Sequence, residues 1–166
     1  MEASPTRRPA SSAEQDVSEL DPARLAAVLH RAIPLSRALG VTVRACTPAC
    51  VILDAPLAPN HNHRGTAFGG SLSAVALLAG YGLVWAALER GSRRAAVLVH
   101  ESATRYLRPV TRDFSARCDA PGDARLEEFV ATLDRRRRSR IVLDARIHEA
   151  GAVAVAFRGS FVALAE

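Results

Sequence analysis

Apolar positions along the chain change their spacing repeatedly, and each change marks an element. From Asp21 onward Leu25, Val28 and Leu29 recur at helical intervals behind an Asp-Pro start, which predicts a helix ending near Ile33, before Pro34. After Gly40 the interval falls to two. Val41, Val43 and Ala45 alternate, and beyond Thr47-Pro48 comes the run Val51-Ile52-Leu53, so two antiparallel strands are predicted. Between Phe68 and Leu88 no side chain ionises except a tyrosine, which predicts one helix, apolar on every side and roughly 30 Å long. Gly91 stops it. Residues 95–107 have the length of a central strand closed by Pro109, residues 112–119 form a further short strand, and Pro121-Gly122 a turn. A second amphipathic helix follows over residues 123–136, with Leu126, Phe129, Val130 and Leu133 on one stripe. Two last strands, residues 141–148 and 152–164, are joined by Glu149-Ala150-Gly151 as a hairpin.

The long apolar helix admits three readings: a membrane span by length, a buried core helix, or a core helix whose N-terminus is a binding site. Its flanks favour the core. Gly69, Gly70, Gly80 and Gly82, with Ser71 and Ser73, dilute its hydrophobicity, and strand-like segments lie on both sides. A helix apolar all round and set among strands is most simply one that a sheet has wrapped, an α+β arrangement. Residues 1–20 carry Ser, Pro, Ala and charge without an apolar period and read as a disordered tail. Residues 21–166 read as one domain.

At 166 residues, 49% hydrophobic and 23% charged, the chain has enough length for a sizeable core. Cys46, Cys50 and Cys118 make neither a CxxC pair nor an even framework, and no apolar signal segment precedes them. That pattern suggests the cytoplasm and no structural disulfide. Aromatics at 5% give no stacking platform for nucleic acid, while a net charge of +5 suggests an acidic partner or ligand. His61 and His63 lack a third ligand at metal-binding spacing, so neither a metal nor another cofactor is expected.

The polar loop ahead of the long helix, NHNHRGTAFGGS from Asn60 to Ser71, resembles the Asn-x-x-Gly-x-x-His-Gly-Gly signature of hotdog-fold thioesterases, with Asn62, Gly65, Gly69 and Gly70 in matching places. Leu78-x-Gly80-Tyr81-Gly82, Tyr106-Leu107-x-Pro109-Val110 and Gly159-x-Phe161-Val162 extend the likeness to the YiiD C-terminal thioesterase-like family. That family also inserts an extra helix between two late strands. The resemblance covers about residues 22–165. It implies a hotdog fold, an antiparallel sheet wrapped round a long central helix, and a homo-oligomer, a dimer or dimer of dimers. It further implies action on acyl groups carried as thioesters on coenzyme A or acyl carrier protein. Relatives include malonyl-carrier-protein decarboxylases, and a binding module that kept the fold without catalysis is the non-enzyme alternative.

The chemistry names its candidates. Thioester cleavage or decarboxylation puts negative charge on the carbonyl oxygen, which amide N–H groups at a helix N-terminus stabilise. Gly70 would supply that amide environment, with Asn62, or else Asn60, donating to the oxygen or holding a water. Gly69, Phe68, Thr66, Ser71 and His63 would line the substrate, His63 also offering a proton. The helix lacks the carboxylate that many hotdog thioesterases carry, since Val75, Ala76, Leu77 and Leu78 occupy its positions, and Phe68 replaces the signature histidine. Alternation along residues 97–103 assigns Glu101 to the face of Val97 and Val99, where it would serve as base if that face is the inner one. Arg135, Arg136, Arg137 and Arg138 would meet coenzyme A phosphates or an acidic carrier surface near the pocket mouth.

Overall fold

The computed structural model describes residues 20–166, so the expected tail at residues 1–20 lies outside the described residues save for its last position. Helix α1, Pro22–Ala32, starts where the Asp21 carboxylate accepts from the Ala23 N–H at 2.9 Å, and it buries Leu25 and Leu29 completely. A short helix α2, Leu35–Ala38, leads into the hairpin of β1, Thr42–Cys46, and β2, Cys50–Ala55. A 3-10 turn, Ala58–Asn60, opens the polar loop. The chain then runs through α3, Gly69–Glu89; β3, Ala95–Tyr106; β4, Phe114–Asp119; α4, Asp123–Arg136; β5, Arg138–Glu149; and β6, Ala152–Ala165.

The strands form one antiparallel sheet in the order β1-β2-β4-β5-β6-β3. Its inner face holds α3, the arrangement that the loop signature implied. α3 is long and apolar enough to cross a membrane by length and composition, yet two thirds of that apolar window, 67%, is buried inside the protein. The enclosure explains the missing polar face. Close approach is bought with glycine at Gly80, where a Cβ would stand 2.6 Å from the ring of the fully buried Phe161. One stripe of α3 stays half-buried: Ala74, Leu77, Tyr81 and Trp85. α4 packs chiefly on β5 and, more lightly, near the far end of α3, with Phe129 and Leu133 buried.

Two expectations about β3 are corrected. The strand is not central but an edge, because its length is matched on one side only, by β6. It leaves Leu98, Val99 and Tyr106 substantially exposed, along with Leu107 just beyond it. The alternation is also broken by a bulge between Val99 and Glu101. Val99 pairs with the inward Phe161, but Glu101 pairs with Ser160, so Glu101, Ala103 and Arg105 face outward while Ser102, Thr104 and Tyr106 face α3. An extra residue in one strand turns every later side chain to the opposite face. Glu101 is exposed and stands on the outer surface, not on the face of Val97 and Val99.

Candidate active site

The loop ahead of α3 is built from its own asparagines. Asn60 is 1% exposed; its side-chain amide donates to the carbonyls of Leu39 at 2.8 Å and Pro56 at 2.7 Å, and its backbone carbonyl accepts from Phe68 N–H. It thereby fastens the loop to the body of the protein. Asn62 works one turn outward. Its Oδ1 accepts from the N–H groups of Arg64 and Thr66, while Nδ2 donates to Thr66 Oγ1 at 2.9 Å and, at 3.5 Å, to the Ala67 carbonyl. Such a side chain imitates a backbone turn. Gly65 completes the turn at φ +77°, in the left-handed region, with its N–H on the Asn62 carbonyl. The structure thus gives both asparagines loop-building bonds and brings them to the start of α3.

Phe68 enters the helix in extended conformation, without a side-chain cap. The first helical bond inside α3 runs from Leu72 N–H to the Phe68 carbonyl. The N–H groups of Gly69, Gly70 and Ser71 therefore have no helical acceptor, and they share the positive end of a 21-residue helix. The Phe68 ring, itself 56% exposed, lies over Gly70, where a Cβ would come within 2.3 Å of it. Ser71 is buried, whereas His63 is exposed on the loop.

Reasoning from the sequence missed the opposite wall. The Tyr106 hydroxyl donates to the Gly69 carbonyl at 2.9 Å, and one helical turn further Ser73 Oγ meets Thr104 Oγ1 at 3.0 Å. Tyr106, Leu107 and Arg108, with Thr66 and Gly69, border an open cleft of ≈ 320 Å³. Only the bulge at residue 100 turns Thr104 and Tyr106 toward α3, so no local pattern could reveal them. Among the described residues no carboxylate lines this cleft.

The arginine run does not stand at the mouth of that cleft within one chain, which corrects the expectation. Arg138 pairs with Leu164 at one end of β6, whereas Tyr106 pairs with Val155 near the other. Nine residues of strand separate the two rows, about 30 Å. All four arginines are exposed, and Arg137 donates to the carbonyls of Ala165 and Glu166.

A family model described as "Putative thioesterase (yiiD_Cterm)" matches residues 22–165. Among solved structures, a protein of unknown function from Chlorobaculum tepidum TLS aligns with a TM-score of 0.83 at 28% identity, covering 87% of this chain and 94% of that one. A "putative thioesterase" from Shewanella oneidensis aligns with a TM-score of 0.78 at 26% identity, over 86% and 96% of the two chains. A "probable thioesterase" from Pseudomonas aeruginosa has the same fold, with a TM-score of 0.76 at 20% identity over 90% and 99%.

Proposed function

The chain belongs to the yiiD C-terminal thioesterase family, and from that premise we propose that it cleaves acyl thioesters carried on coenzyme A or acyl carrier protein, as a cytoplasmic homodimer or dimer of dimers. The observation that carries this reading is the uncapped first turn of α3, whose three N–H groups lie on a glycine floor beside the Tyr106 cleft. As water adds to the thioester carbon, negative charge grows on its oxygen, and donors already fixed in place stabilise that charge without reorganising. The carbon–sulfur bond then breaks and the proton given up by the attacking water passes to the leaving thiolate, a transfer for which exposed His63 is the candidate carrier. Asn62 and Asn60 hold the loop in register with this turn, and Thr66, Phe68 and Ser71 border the substrate. The half-buried stripe of Leu77, Tyr81 and Trp85 gives the acyl chain an apolar path once a second subunit covers it.

One observation favours a second reading, decarboxylation of a malonyl thioester: Glu101 faces outward and, among the described residues, no carboxylate lines the cleft to act as base. Decarboxylation needs none. The carbon–carbon bond breaks, carbon dioxide leaves, the electron pair moves to an enolate oxygen held by the same amides, and the carbon is then protonated. Malonyl and medium-chain thioesters on both carriers decide between the two. Free thiol without carbon dioxide supports hydrolysis, and carbon dioxide with the thioester intact supports decarboxylation. Saturable binding with neither product would leave only a binding module and overturn the enzyme reading.

A further inference from the structure

Gly69 and Gly70 share one peptide group, so the Gly69 carbonyl and the Gly70 N–H are the two ends of a single rigid plane. The bond is trans, and the two ends point to opposite sides. In the first turn of α3 the N–H looks out of the helix start, where it has no helical acceptor, while the carbonyl looks along the helix. It is this carbonyl that takes the Tyr106 hydroxyl at 2.9 Å. A carbonyl oxygen has two lone pairs, so the hydroxyl adds to the helical ladder without breaking it. Hydrogen bonds in a chain polarise one another, and a proton donated to the Gly69 oxygen makes the Gly70 N–H a stronger donor.

Neither glycine carries a Cβ through which neighbours could hold that plane. The Tyr106 ring supplies the hold: a Cβ on Gly69 would stand 3.3 Å from its Cζ, so the ring lies on Gly69 while the hydroxyl takes the carbonyl. The strand end that carries the ring is itself fixed. The Leu107 and Arg108 N–H groups both donate to the Ala154 carbonyl, at 2.8 and 3.2 Å, and Ser73 meets Thr104 one helical turn further on. Ahead of α3 the Ala67 N–H donates to the Val110 carbonyl at 2.8 Å, so helix start and strand end are tied on both flanks of the tyrosine. Tyr106 is 52% exposed. Water would satisfy its hydroxyl as well as a carbonyl does, so burial does not force this bond and its net effect on stability is small. What the bond does change is the direction and donor strength of one N–H.

We propose that Tyr106 is a positioning residue, whose hydroxyl holds and polarises the peptide between Gly69 and Gly70 so that the Gly70 N–H is aimed at the charge growing on the substrate oxygen. This rests on the thioester reading above and deepens it, and it applies alike to the oxyanion of hydrolysis and the enolate of decarboxylation. Tyr106→Phe removes the hydroxyl and keeps the ring. Its melting temperature should stay near that of wild type while kcat falls roughly tenfold, the contribution of one hydrogen bond. KM should change by less than about twofold, because the gain is made in the transition state. With an isotope label in the Gly69 carbonyl, its carbon resonance should move upfield in Tyr106→Phe as the oxygen loses a donor. A second chain tests the route: glycolic acid in place of Gly70 leaves an ester at that bond and removes the one N–H. In that background Tyr106→Phe should cost almost nothing further, since both changes act through the same group. An unchanged kcat, a loss that falls on KM, or a full loss that persists in the ester chain and so puts the hydroxyl on the substrate itself overturns the inference. Wild type that turns over no thioester overturns the thioester reading instead. The Gly69 carbonyl resonance then still decides the contact, an upfield shift in Tyr106→Phe supporting it and an unmoved signal rejecting it.

Discussion

Gly69 offers the first turn of α3 an N–H and no side chain, which makes it the place to remove a donor without removing the helix. Proline favours the first helical position, and the residue before it must be extended, as Phe68 already is at φ −69°, ψ 133°. Gly69→Pro should therefore change stability by less than about 1 kcal/mol while turnover falls about a hundredfold to a thousandfold. Gly69→Ala adds the same Cβ, 3.3 Å from the movable Tyr106 ring, keeps the N–H, and should retain most of the rate. Equal rates for the proline and alanine variants would show that this amide takes no part. The asparagines separate in another way. Asn60→Ala strands one buried and one part-buried carbonyl and should cost about 1–3 kcal/mol in denaturant melts. Asn62→Asp keeps the two bonds to Oδ1 and lets the Thr66 hydroxyl turn to donate, so the fold should persist with turnover lowered about tenfold. If Asn62→Asp matches Gly69→Pro in its loss of rate, Asn62 acts on the oxyanion directly.

α3 and β3 carry most of the architecture between them, and each depends on one feature that a count of hydrophobic residues does not reveal. In α3 it is Gly80, which seats the Phe161 ring. Alanine is the better helix former by up to about 1 kcal/mol, yet the ring has nowhere to retreat, and overpacking typically costs about 1–3 kcal/mol. Gly80→Ala should thus lower the midpoint of urea unfolding; a raised midpoint would mean that the ring yields. In β3 the feature is the bulge beside His100, which sends Glu101 outward and brings Thr104 and Tyr106 against α3. The same bulge that removes a candidate base supplies the wall of the cleft.

Across the whole molecule, three free cysteines are buried where sheet and hairpin meet. Burial, helped by the charge of Cys50, pushes the Cys46 thiol from the ordinary 9.0 up to about 11. Burial, and then the Asp119, Asp144 and Cys50 charges, pushes Cys118 up to about 12. A thiol whose folded pKa is raised favours the fold fully below its unfolded pKa, and that contribution is lost as pH rises toward the folded value. Thermal stability should therefore fall between pH 9 and about 11–12, and Cys118→Ala should flatten that fall even if it is less stable at pH 7. An alkaline slope identical to wild type would place the titrating groups elsewhere. Sedimentation should find a dimer or larger species, since the β3 edge leaves Leu98 and Val99 exposed and the α3 stripe is only half-buried; a folded, active monomer would contradict this.

The sequence by itself determined whatever is carried by neighbours in the chain. The Asp21-Pro22 helix start, the stripe of α4, the hairpin at Gly151 and the enclosure of an uncharged helix all follow from spacing and local chemistry. The loop signature from Asn62 to Gly70 located the helix start that forms the candidate site. Tertiary structure alone decided which edge of the sheet is open, which face Glu101 takes, where the arginine run lies and what the asparagine amides hold. Each of these depends on a pairing between distant residues, such as Val99 with Phe161 or Arg138 with Leu164. A two-residue period restarts at every bulge, and whether a bulge forms is settled by the partner strand rather than by the residues that carry it.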